Sequence, residues 1–289
     1  MLNHDRRHPN SRRKNADRPR APHVLCCVAA GCVILLTACT GFAEGIYKEK
    51  ALEVFNKHKA AVCTVQLVLK RQMSMGGGAS HEDESKREIT GTMIGADGLT
   101  VVALTSIDPA DMYRRMMARD DSDFQMSTDV TSCKILLQDG EELPARVLLR
   151  DPDLDIAFVR PTDKPGADLP HVDLTDADTP EILDDLVAIN RLGKVARRAY
   201  CVSIEHVEGI VEKPRTFYIP SQGGGGNATL GCPAFSMAGK IVGIPTVRAV
   251  HGDSYDHSSN MLIVLVPPDQ IIEAAVQVPP FEEGKSSGS

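Results

Sequence analysis

With 289 residues and a formal charge of −7, the chain can hold one large or two modest domains around a substantial core, and its acidic balance argues against nucleic acid as a partner. Residues 1–38 carry seven Lys/Arg and two Asp/Glu, so without them the charge moves from −7 to about −12, which also argues against binding anionic lipid through the folded body.

Those first residues read as a leader. A basic stretch from Arg6 to Arg20 precedes the apolar run Val24 to Leu36, whose shortness fits an export signal better than a spanning helix. Leu36-Thr37-Ala38-Cys39 resembles the bacterial lipobox, which implies acylation at Cys39 and a lipid-anchored, exported protein; the alternative is an uncleaved membrane anchor. Of the eight cysteines, four lie in the leader or at its end. Cys63, Cys133, Cys201 and Cys232 remain, and an oxidising compartment leaves zero, one or two disulfides open. None has the spacing of a zinc or redox motif, and no metal or other cofactor is expected.

In chain order, residues 39–44 read as a tether and the stretch up to Lys59 as an amphipathic helix with Ile46, Leu52, Val54 and Phe55 on its apolar side. Residues 62–69 (VCTVQLVL) form a strand, and the Gly-, Ser- and acid-rich stretch 73–86 reads as a loop. Residues 88–107 (EITGTMIGADGLTVVALTSI) place two apolar strands around an Ala96-Asp97-Gly98 turn. A helix over 109–119, whose methionines suit packing, leads to a polar loop over 120–129. Strands follow at 132–137 and 143–149, with a turn at 138–141. Beyond Asp151-Pro152-Asp153-Leu154-Asp155-Ile156-Ala157, the polar stretch 162–180 suits a crossing between domains.

Strands are then expected near 186–190, 199–211 and 216–219, followed by the glycine-rich loop 222–226. That loop lacks the Gly-Lys-Ser/Thr and helix of a phosphate cradle. Gly231-Cys232-Pro233 opens a hairpin turning at Ala238-Gly239, residues 260–266 form a buried strand, and 267–276 a helix opened by proline. Residues 279–289 read as a flexible tail, and nothing after Val278 is expected to fold as a PDZ domain.

Three of these segments, 88–107, 151–160 and 231–246, resemble the trypsin-like serine proteases, most closely the bacterial HtrA/Deg group. The resemblance implies an all-β, chymotrypsin-like double β-barrel with a short N-terminal and a C-terminal helix. The domain would span 45–278, with barrels at about 60–161 and 185–266 joined by linker 162–184. Counted from Gly98, Thr105 takes the place of the family's general-base histidine, and Asp155 matches the carboxylate that orients it. Pinned on Pro233 and Gly243-Ile244, Leu230 takes the place of the nucleophilic serine, and Ala228 that of a glycine supplying an oxyanion donor.

A threonine hydroxyl does not titrate near neutral pH, and leucine cannot attack a carbonyl, so a catalytically inactive domain is expected. Two rescues were open to the sequence. Cys232 could serve as a displaced nucleophile, although His81 (in the expected loop) and His206 (in a second-barrel strand) are not placed as its base. A register shift to Ser236 would put the nucleophile inside a strand. The resemblance therefore implies a pseudoprotease, tethered to the membrane, that binds an extended peptide or an envelope protein; the alternatives are a divergent peptidase and a structural envelope lipoprotein. Without an imidazole, Asp155 is expected to accept a hydrogen bond from Thr105 or else to face water.

Overall fold

A computed structural model describes residues 47–75, 81–109, 124–221, 230–249 and 261–281. All but Tyr47 lie in the compact unit Lys48–Ser289; the other unit, Met1–Tyr47, contributes that residue alone. Ile46, Cys39, the expected helix beyond Pro109, the glycine loop 222–226 and Ala228 fall outside the described residues.

The opening helix, α1 (residues 47–58), ends in a 3-10 turn at Lys59–Ala61. It packs through Ala51, Val54, Phe55 and His58, an i, i+3, i+4, i+7 stripe. Leu52, expected on that stripe, is 41% exposed, and the smaller Ala51 takes the inward position. His58 Nε2 donates to the Gly239 carbonyl at 3.1 Å while its ring stacks on Phe235 at 4.1 Å. Burial pushes the His58 pKa down, so the neutral ring is favoured.

Strands β1 (Val62–Met75), β2 (His81–Met93), β3 (Thr100–Ala103), β4 (Phe124–Leu136), β5 (Glu142–Asp151) and β6 (Ile156–Pro161) close a barrel in the order β1-β2-β3-β6-β5-β4. A one-turn helix, α2 (Leu104–Ile107), follows β3. Strands β7 (Asp185–Arg191), β8 (Tyr200–Val211), β9 (Phe217–Pro220), β10 (Ala234–Ser236), β11 (Ile241–Ala249) and β12 (Met261–Val266) close a second barrel in the order β7-β8-β9-β12-β11-β10. The second order is the first advanced by six strands, so the fold repeats where no residue-level repeat is visible. Helix α3 (Pro268–Ala275), with proline in its first turn, closes the chain against the second barrel. This is the chymotrypsin-like double barrel with its two terminal helices.

Alternation sorts the apolar residues. Along β1, Cys63, Val65, Leu67 and Leu69 point into the first barrel's core beside Val102, Ile135 and Val159. On β3 and β6 the intervening residues Val101, Ile156 and Phe158 join a different cluster, shared with Val187, Ile189, Phe217 and Phe235 of the second barrel. Strands covered on both faces read as near-continuous apolar runs. Burial raises the Cys63 and Cys133 thiol pKa values, each to about 12.

Two expected loops are strands. Residues 73–75 and 81–86 continue β1 and β2, paired as far as Met73↔His81, and β4 begins at Phe124 within the expected 120–129 loop. The polar composition misled because this three-stranded extension carries charge where a barrel wall would be apolar. β1 has ladders on both edges, to β2 and β4, and Lys70 Nζ lies 2.7 Å from Glu82 across the first. At the other end, residues of the expected tail make contacts: Arg160 donates to the Pro279 carbonyl at 2.6 Å and stacks on the Phe281 ring.

Polar contacts also bridge the barrels. Arg191 at the end of β7 donates to the Leu136 and Leu137 carbonyls (2.6 and 2.9 Å), and Arg198 grips Glu88 through two bonds of 2.6 and 3.2 Å. The Arg198 guanidinium, more than burial opposes it, holds the Glu88 carboxyl below its ordinary value of 4.5. A carboxylate depressed in the folded state adds stability above its unfolded pKa, and that stability is lost as pH falls through the folded value. We therefore expect Glu88→Gln to lower stability by about 1 kcal/mol at pH 7, with the gap closing below pH 4.5, as thermal melts at both pH values would show.

Candidate functional site

The site forms where α2 of the first barrel faces the turn before β10 of the second. Asp155 sits between the Asp151–Leu154 turn and β6 with φ +55, a left-handed conformation that Asp tolerates better than most residues but that still costs about 1 kcal/mol. Its side chain is 8% exposed, so burial is tolerable only with donors supplied. They are present: Thr105 N–H (2.7 Å) and Thr105 Oγ1–H (2.6 Å) both donate to Oδ1, and Val247 N–H donates to Oδ2 at 2.8 Å. The Asp155 carbonyl in turn accepts from Leu104 N–H at 2.8 Å. The expected Thr105–Asp155 bond is present, and the carboxylate does not face water.

Val247 was not singled out by the sequence, because a backbone donor carries no side-chain signal. It lies on β11, so this carboxylate ties the two barrels together.

Leu230 is half-buried in the turn before Gly231. Gly231 has φ +79, and a Cβ there would stand 2.6 Å from the Thr90 carbonyl. Its N–H donates to the Pro245 carbonyl (2.9 Å), and its own carbonyl accepts from Thr92 Oγ1 (2.8 Å) across the barrel boundary. The turn is therefore pinned from both barrels, and Leu230 on it lines a pocket of about 260 Å³. Ser106 of α2 lines the same pocket, with Thr64, Glu88, Thr90, Asn190 and Arg191. Thr90 Oγ1 donates to Asn190 Oδ1 at 2.7 Å along one wall, a pairing across a hundred residues that no local pattern could indicate.

The remaining candidates are dispersed. None of Cys63, Cys133, Cys201 and Cys232 is in a disulfide. Cys232 has no exposed surface, and Cys63 donates to the Gly91 carbonyl inside the first barrel. Ser236 lies within β10 with its Oγ buried. His206 is on β8 and His81 on β2, not in a loop as expected. No group of His, Cys, Asp and Glu among the described residues could hold a metal ion. No helix among them is long and apolar enough to cross a membrane.

Chemically, the pocket offers Leu230 among the polar side chains of Thr64, Glu88, Thr90, Ser106, Asn190 and Arg191, while Asp155 and Thr105 satisfy each other outside its lining. A pocket of 260 Å³ falls just under the roughly 300–1,000 Å³ usual for small-molecule sites and suits a protein side chain better than a cofactor.

We expect Asp155→Ala to cost roughly 3 kcal/mol by leaving buried donors unpaired, and Thr105→Val about 1–2 kcal/mol. Urea unfolding would measure both, and an Asp155→Ala variant as stable as the parent would contradict the arrangement.

The trypsin-like peptidase domain family matches residues 89–244. Among solved structures, a serine endoprotease from Yersinia pestis superposes with a TM-score of 0.52 at 14% identity, over 78% of this chain and 65% of the other. The chain thus spans just under two thirds of that protein. The MamO protease domain from Magnetospirillum magneticum is 16% identical over 76% of this chain and 97% of its own, with a TM-score of 0.45. No curated protein sequence matches the chain.

Proposed function

The chain belongs to the trypsin-like peptidase domain family, and from that premise we propose that it is a catalytically inactive member, a membrane-tethered module of the cell envelope that binds an extended peptide or protein in the cleft between its barrels. The observation that carries this reading is the Asp155 carboxylate. In an active member of the HtrA/Deg type, the matching carboxylate would orient a histidine; here both its oxygens accept from Thr105 and Val247. Leu230, at the family's nucleophile position, supplies no attacking atom. Losing base and nucleophile together leaves only binding and whatever backbone donors remain.

The pocket beside Leu230 supports binding over a purely structural role, because Leu230 lines an opening instead of filling it. Fully buried Cys232 would need its turn to open before meeting a peptide, which speaks against the thiol-peptidase alternative. The leader ending at Cys39 supports export and a lipid anchor.

The test is direct. The purified chain is expected to cleave neither casein nor an unstructured-peptide library and to take up no serine- or thiol-directed covalent probe at the cleft. Cleavage and labelling that both disappear in Cys232→Ala would overturn the inactive reading in favour of a cysteine peptidase. Binding is tested by titrating the same library: Leu230→Arg is expected to weaken peptide binding at least tenfold, and an unchanged affinity would exclude this pocket as the peptide site.

A further inference from the structure

The extension beyond the first barrel leaves β2 with one occupied edge. It pairs with β1 from His81 to Thr92, whereas on its other side β3 covers only Thr92 and Met93. Among the described residues, the outer edge from 81 to 87 has no strand beside it, whereas from Glu88 to Gly91 β2 lies against Arg198, Asn190 and the Gly231 turn of the second barrel. A free edge presents a row of backbone donors and acceptors, and proteins ordinarily keep it from pairing by charging it. This one is charged in a particular order: Asp83-Glu84-Ser85-Lys86-Arg87 runs acidic, neutral, then basic about Ser85, with Glu82 and Glu88 at its two ends.

We propose that the edge of β2 pairs antiparallel with the same edge of a second copy of this chain, centred on Ser85. In that register Ser85 faces its own copy, Glu84 faces Lys86 and Asp83 faces Arg87, each pair made twice by the two-fold axis. Any partner strand would satisfy the backbone; the charge order selects a second copy, because the sequence is its own electrostatic complement when reversed. Glu82 and Glu88 would meet as like charges, but both are already paired within the chain, with Lys70 at 2.7 Å and Arg198 at 2.6 Å. Glu82, Asp83, Glu84 and Lys86 are all exposed. Nothing here depends on the proposed binding role of the cleft.

Charge reversal tests it. The full-length chain, kept soluble in a mild nonionic detergent, is expected to sediment as a dimer at micromolar concentration. Lys86→Glu and Glu84→Lys each turn two attractive pairs repulsive and should weaken the dimer about tenfold or more. The double variant Glu84→Lys/Lys86→Glu restores complementarity and should restore the dimer. A second readout is oxidative crosslinking: in a Cys201→Ser background, Ser85→Cys is expected to form a disulfide-linked dimer. A monomeric parent, single reversals that leave dimerisation unchanged, or a folded double variant that stays monomeric would each overturn the proposal, as would absence of the Ser85→Cys crosslink.

Discussion

A buried carboxylate, Asp155, is tied to both barrels at once. Asp155 turns the chain into β6 in a conformation few residues accept, and its oxygens gather a helix of the first barrel and a strand of the second. A buried carboxylate is tolerable only when donors saturate it, so the placement of α2 and β11 follows from satisfying this group. Gly231 makes the complementary tie: its φ, its bond to Pro245 and its bond from Thr92 fix the turn that carries Leu230. Together they fix where Thr105, Asp155 and Leu230 stand relative to one another.

That arrangement rests on a duplicated layout. Each barrel uses the same strand order, and the apolar cluster between them draws alternate residues from both. A cleft results because two closed surfaces touch along part of their walls, with Thr90, Asn190 and Arg191 hydrogen-bonded beside the remaining space.

Strand positions inside the barrels were legible because alternation and turn glycines such as Gly98 and Gly140 obey local rules. The extension was missed for a physical reason: β1, β2 and β4 leave the barrel there, so the usual apolar signal of a buried strand gives way to charge, and pairing is decided by partners far along the chain. Leu52 was misassigned because four-residue periodicity cannot say which side chain a neighbouring barrel has room for.

By itself, the sequence determined the family pattern, the identities at 105, 155 and 230, and the charge order along β2, since residue type and spacing are written directly in the chain. Only the tertiary structure decided that Asp155 is saturated by Thr105 and a backbone amide of the other barrel, that Cys232 has no access to solvent, and that β2 keeps an open edge among the described residues. Those facts depend on which distant backbone groups and side chains come within hydrogen-bonding distance, and that is set by the closure of two barrels against each other.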